Sequence, residues 1–182
     1  MGPLLRLTYT RQMPLRLATV ADAPALARVH MAAWRAAYRG IMASDYLDAM
    51  DAERFASGWE RNLETGARTT VGTLTDLPDA VIEGFCSVGP AREGSGGATG
   101  EVWALNLHPR AFGTGLAKEL HDDGLERLIG AGHSSVCLWV AAENPRARRF
   151  YEREGWVADG GAKDDEIGGA LVAELRYARS LG

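Results

Sequence analysis

Cysteine is scarce in this chain: its 182 residues include two, Cys86 and Cys137, each set in an apolar run. Isolated thiols of this kind suit burial in a reducing compartment better than a cystine scaffold or a zinc site. A surplus of basic charge is also missing, since 20 lysines and arginines stand against 24 acids for a formal net charge of −4. That balance, with both signs interspersed, argues against a nucleic-acid partner and leaves a cationic small molecule or peptide open. No apolar run approaches membrane-spanning length, and the first thirty residues lack the succession of a signal peptide. The chain opens Met-Gly, but Arg6 stands where a myristoylation signal needs Ser or Thr. A cytoplasmic protein with no membrane partner is expected. His30 and His108 have no companion ligand at metal spacing, so no metal is expected either.

What the chain does have is 46% hydrophobic residues in a length suited to one core, with no repeat and no Pro/Ser-rich linker. Patterned sequence starts at "MPLRLATVADAPAL", so residues 1–12 are expected to be an N-terminal extension and 13–182 a single domain. "LRL" (15–17) reads as a strand; Thr19 and Asp22 form a capping-box pattern before Leu26, Val29, Ala33, Trp34, Ala37 and Tyr38 recur at helical spacing. "ASDYLDAMDAERFASGWERNL" offers one or two more helices. "RTTVGTL" (68–74), "AVIEGFCSVG" (80–89) and "EVWALNL" (101–107) then read as consecutive antiparallel strands separated by turn residues. A helix from about Gly115 to Ile129, a strand at 135–140, and a helix opened by Asn144-Pro145 and closed by Gly155 follow. "WVA" and "ALVAELRYA" are the last strands, around an expected loop "DGGAKDDEIGG" whose "AKDDE" (162–166) is read as solvated. Short turns and helical crossovers together predict an α/β fold with a mixed sheet.

Two glycines, Gly113 and Gly115, stand between a strand and the start of a helix. There, backbone N–H groups and the positive end of a helix dipole can hold a phosphate or pyrophosphate, although a tight turn alone also accounts for the pair. No Lys-Ser/Thr follows as in a P-loop, and the turn lies mid-chain rather than after a first strand, so both common nucleotide-binding patterns are weakened.

Three segments in order, "LRLATVADAPALARVHMAAWRAAYRG", "EVWALNLHPRAFGTGLAKEL" and "NPRARRFYEREGW", resemble the GCN5-related N-acetyltransferase (GNAT) family over about residues 14 to 177. The resemblance implies a mostly antiparallel sheet splayed between two central strands, with helices on both faces and acetyl-CoA as co-substrate. It implies direct acetyl transfer to a primary amine of a small molecule or peptide, the alternative being a coenzyme A-binding module without turnover. The family's pyrophosphate loop, Arg/Gln-x-x-Gly-x-Gly/Ala, fits two registers here. "RAFGTG" has Arg110 in the lead; "FGTGLA" keeps the usual distance from the His-Pro pair and puts Phe112 there. The second is preferred, with the backbone of Gly113, Thr114, Gly115, Leu116 and Ala117 as phosphate donors.

An alkyl ammonium, with a pKa of roughly 10, must lose a proton before it attacks a thioester. By position in the family the base is Glu101, with Glu83 on the neighbouring strand as its competitor. The backbone of Leu107 is the implied oxyanion donor, with Leu105 and Asn106 as further pantetheine contacts. Tyr151 matches the general acid that protonates the leaving thiolate. Asn144 combines a helix cap with a pantetheine contact, while Arg146, Arg148 and Arg149 read as solvated helix charges rather than ligands of the coenzyme's 3′-phosphate, although one of them could be both. Trp34 and Tyr38, with Tyr46 and Trp59 nearby, fall where the family lines the acceptor side. Members of the family commonly pair, so a homodimer is the expected assembly if the C-terminal strand "ALVAELRYA" lies near a sheet edge.

Overall fold

The computed structural model describes residues 13–66, 68–92, 97–167 and 169–182; the expected extension at 1–12 lies outside them. β1 (Leu15–Leu17) leads through a short turn into α1 (Ala23–Ala37). The Asp22 carboxylate accepts the Thr19 N–H at 2.8 Å and both terminal nitrogens of Arg16 at 2.7 Å, which fixes the entry into α1. α2 (Ser44–Asp48) and α3 (Ala52–Glu64) follow, the latter capped by the Asp51 side chain on the Arg54 N–H at 2.7 Å. β2 (Arg68–Thr73), β3 (Ile82–Pro90) and β4 (Thr99–Leu107) form the expected antiparallel run. α4 (Leu116–Gly130), β5 (Ser135–Ala141), α5 (Pro145–Arg153), β6 (Val157–Ile167) and β7 (Ala170–Ser180) complete the chain.

These strands make one seven-stranded sheet in the order β1-β2-β3-β4-β5-β7-β6. Every neighbouring pair is antiparallel except β4–β5, which is parallel and registered over three positions, the last being Glu101 opposite Cys137. Beyond Glu101 the described strands part, giving the splayed α/β sheet. α4 packs on one face over Val102, Val136 and Leu138, burying Leu116, Leu120 and Leu128, and Tyr151 and Trp156 join this core. α1 and α3 cover the other face over Val71 and Phe85, with Leu26, Val29 and Trp59. Each such aliphatic or aromatic side chain contributes roughly 1.5–3 kcal/mol of burial free energy, so helix on either face anchors the strands between which the site opens. Gly84 lets α4 approach: a Cβ there would lie 2.9 Å from Leu120.

Three features depart from simple sequence patterning. The expected loop at "DGGAKDDEIGG" is largely strand, because β6 runs on to Ile167 and, past an irregularity at residues 159–161, pairs with β7 from Ala162 to Ile167. An edge strand whose side chains mostly face solvent needs no apolar alternation, so nothing in its composition announces it. β7 is consequently flanked by β5 and β6 and is not the edge; β6 is. The third feature is a bulge in β4: Ser87 faces Ala104 and Val88 faces Val102, leaving Trp103 as the extra residue. Val102 and Leu105 therefore both join the α4 core while Ala104 packs with the α1 side.

Candidate active site

A cavity of about 660 Å³ opens where β4 and β5 part. Leu105 and Leu107 line one wall, and the small side chains of Ala33, Ala36 and Ala37 on α1 line another. At its mouth stand Phe112, Gly113, Gly115 and Ala117; across from them α5 contributes Asn144 and Tyr151. Gly113 and Gly115 have φ of +77° and +99°, left-handed conformations that side chains rarely adopt. The N–H groups of Gly113, Gly115 and Ala117 find no acceptor among the described residues, as befits a helix N-terminus facing an anion. Thr114 turns inward instead, its hydroxyl donating to the Ala111 carbonyl at 2.8 Å, and the Leu116 side chain is wholly buried in the core. Asn106, opposite Phe85 in the β3–β4 register, is not part of this cavity's walls.

Asn144 caps α5 by accepting the Ala147 N–H at 3.1 Å, which leaves its amide N–H₂ directed away from that bond. Tyr151 packs against Phe150 and Trp156 at ring distances of 5.4 and 5.8 Å, and its hydroxyl has no hydrogen-bond partner among the described residues. Burial raises its pKa well above that of a free phenol, so the group remains an O–H donor at neutral pH.

A second cavity, about 1270 Å³, lies against the opposite face of β4 and is lined by His30, Tyr46, Phe55, Trp59, Trp103 and Ala104. Ala104 borders this cavity and Leu105 the first, so the two approach one strand at consecutive residues, beside the bulge. Alternation alone would not turn Trp103 into this cavity. The ring lies where a Gly89 Cβ would stand 2.2 Å away, and its N–H donates to the Pro90 carbonyl at 3.2 Å. His30 is enclosed by Trp34, Phe55, Trp59 and Phe85, and burial lowers its pKa to about 4. Trp34 and Tyr38 meet in a tilted pair, ring centroids 5.3 Å apart, beside Met31, Met42 and Ala141 and line neither cavity. Burial, with Glu174 and Asp165 nearby, pushes the Tyr38 hydroxyl up to about 12.

Three carboxylates on the sheet strands, none of them lining either cavity, are in different states. Glu101 is buried, and both its oxygens are engaged by Arg92, through the backbone N–H at 2.8 Å and through the guanidinium. Glu83 is likewise buried and held by the Arg110 guanidinium. Glu174, on β7 opposite Ala141, has Lys163 at 3.9 Å and no hydrogen-bond partner among the described residues. Burial raises its pKa above the ordinary carboxylate range, with Lys163 opposing and Asp165 reinforcing the shift. Sequence reasoning missed Glu174 because only the β5–β7 pairing brings it beside the parted strands.

Elsewhere His121, Asp122 and Glu154 bring potential ligand atoms within 4.8 Å of one another. His121 accepts from the Trp156 N–H at 2.9 Å and meets Asp122 at 2.9 Å, while Lys118 lies 2.6 Å from Asp122 and 3.5 Å from Glu154. A lysine already supplies this cluster's positive charge.

A splayed mixed sheet with a left-handed glycine turn at the mouth of the split defines an acyl-coenzyme A transferase of the GNAT type. The chain belongs to that family: the acetyltransferase (GNAT) family model matches residues 28–156. An uncharacterized N-acetyltransferase, YuaI of Bacillus subtilis, is 32% identical over 162 residues, covering 88% of this chain and 89% of the relative. Mycothiol acetyltransferase of Beutenbergia cavernae is 44% identical over 60 residues, only 20% of its own length. Among solved structures, the putative acetyltransferase yncA of Salmonella typhimurium with acetyl-CoA has a TM-score of 0.67 at 19% identity, covering 94% of this chain and 95% of its own. PaiA N-acetyltransferase of Thermoplasma acidophilum with coenzyme A also has a TM-score of 0.67, at 16% identity, covering 93% and 99%. As a family member the chain is an acetyl-CoA-dependent N-acetyltransferase. Among the described residues no helix is long and apolar enough to cross a membrane.

Proposed function

We propose that acetyl-CoA lies in the cavity between β4 and β5, its pyrophosphate on the Gly113–Ala117 turn, and that an amine attacks the thioester from the β4 face bordered by Trp103 and Ala104. The observation that carries this reading is the meeting of two cavities at Ala104 and Leu105, one with free N–H groups at its mouth, the other rich in rings. The ammonium gives up one proton to a carboxylate, and the neutral nitrogen forms a bond to the thioester carbon. Charge then gathers on the former carbonyl oxygen, where the Leu107 backbone on β4 is the proposed donor. Collapse breaks the C–S bond, and the Tyr151 hydroxyl protonates the leaving thiolate; one of the two protons left on the nitrogen restores the phenol, and the other stays on the amide product.

For the first proton, Glu174 is the carboxylate that no arginine holds, with Lys163 at 3.9 Å, whereas Glu101 serves only if Arg92 swings away. Trp34 and Tyr38 act at one remove from the acceptor, through the wall they form beside Ala141. The acceptor is a small-molecule or peptide amine. The free thiols Cys86 and Cys137 fit a cytoplasmic setting. A homodimer built through the open edge would set Asp164, Asp165 and Glu166 of β6 against their own copies, and the site described needs no second copy. Gly115→Asp, which places a carboxylate in the glycine turn, tests the location: acetyl-CoA affinity should fall more than tenfold, about 1.4 kcal/mol or more. Unchanged affinity in a folded variant removes the cofactor from this turn.

A further inference from the structure

At the mouth of the first cavity the residue ahead of the glycine turn is Phe112, which carries no charge, and the cation nearest to it comes from a different element. The Arg146 guanidinium lies over the Phe112 ring, its Cζ 3.6 Å from the ring centroid, and both side chains line the cavity with Gly113 and Gly115. We propose that Arg146 is a pyrophosphate-binding residue, and that Phe112 positions it by holding the planar guanidinium on its face.

Four observations support this. A cation over an aromatic face is attracted to the ring's quadrupole, and Arg keeps its N–H groups in the guanidinium plane while it stacks. Stacked on Phe112, Arg146 still offers that plane of donors to an anion at the turn. Second, Arg146 sits in the first turn of α5, where the helix dipole disfavours positive charge, so helix stability does not explain it there. Third, of the other basic side chains lining this cavity, Lys118 is already paired with Asp122 and Glu154, and Arg153 stands in the last turn of α5, at the opposite end of that helix from Arg146. Fourth, Arg148 is tied into the fold, donating to the Tyr177 hydroxyl and the Ala142 carbonyl at 3.2 Å. Arg146 thus supplies, from α5, a charge that the apolar lead residue of the turn cannot.

The proposal rests on the acetyl-CoA reading above, and calorimetry with the purified chain separates the two. Wild type should bind acetyl-CoA; absence of binding overturns that reading and this proposal with it. Given binding, Arg146→Met should raise Kd about tenfold or more and flatten its dependence on salt. Phe112→Leu, which removes no charge, should raise Kd by a comparable factor, and the double variant should be no worse than either single one. Phe112→Tyr keeps the ring and should restore near wild-type Kd, which excludes a folding defect as the cause. The loss in Arg146→Met should be the same for 3′-dephospho-coenzyme A as for coenzyme A. Wild-type affinity in Arg146→Met, additive losses in the double variant, or a loss confined to coenzyme A carrying the 3′-phosphate would each overturn the assignment.

Discussion

Arg92 closes over Glu101 at the point where β4 and β5 cease to pair: a guanidinium on a side chain 59% exposed holds Oε1, and the Arg92 backbone N–H holds Oε2, of a carboxylate that is 2% exposed. The two partners are unequal, and so are the consequences of losing them. Removing Arg92 leaves a buried anion with one backbone donor, whereas removing the charge of Glu101 returns a guanidinium to water. Arg92→Ala should therefore destabilise the fold by about 1–3 kcal/mol, and Glu101→Gln by less. Thermal unfolding of the two variants checks this; the reverse order would mean that Arg92 does not carry the buried charge.

The same geometry separates the candidate bases. If Glu174 takes the ammonium proton, kcat/KM should rise with pH through its raised pKa, and Glu174→Gln should lose about 10²–10⁴-fold near neutrality with partial recovery at high pH. Lys163→Met removes the cation that opposes that shift, so the limb should move to higher pH. If Glu101→Gln gives this pattern and Glu174→Gln behaves as wild type, Arg92 must release Glu101 during turnover.

Tyr151→Phe should lower kcat by about 10²–10⁴-fold and leave acetyl-CoA affinity nearly intact, since it deletes only the proton donor to the departing thiolate. Steady-state kinetics and calorimetry on one preparation decide it. Wild-type turnover would reduce Tyr151 to a packing residue beside Trp156.

Acid should lower the stability of the fold over two pH windows. The folded pKa of His30, lowered to about 4 by burial, lies below its unfolded value of about 6.5, so the unfolded chain binds the extra proton between them. Its contribution, at most about 3 kcal/mol, is complete above pH 6.5 and is lost as pH falls toward 4. His108 and His121 are lowered in the same sense, burial first, and add to the slope. Asp22, held down to about 2 by Arg16, contributes above about pH 4 and loses that contribution as pH falls through 2. The melting temperature should drop between pH 7 and 4.5, and His30→Phe should flatten that drop; an identical slope in the variant would contradict the assignment.

Much of this architecture is legible in the sequence, for local reasons. Asn144-Pro145 announces α5, the 68–107 strands have their turns between them, and Gly113 with Gly115 marks a backbone that must go left-handed. What sequence did not disclose depends on pairing across the fold. β6 is a strand because β7 lies beside it, not because its exposed acids favour one. Trp103 enters the second cavity because a single extra residue shifts the β3–β4 register. Arg92 on Glu101, Glu174 beside the parted strands and Arg146 on Phe112 all join residues whose sequence neighbours give no hint of the partner. The residues were visible; the contacts that set their chemical state were not.

The central claim is transfer of an acetyl group from acetyl-CoA to an amine, and a screen of primary amines and peptides with the purified chain tests it most directly. Thiol release should depend on the amine and match, mole for mole, an acetylated product identified by mass spectrometry, with no acetyl group left on the protein. Tight acetyl-CoA binding with no release above the rate of hydrolysis for any amine would contradict the account and leave a coenzyme A-binding module without turnover.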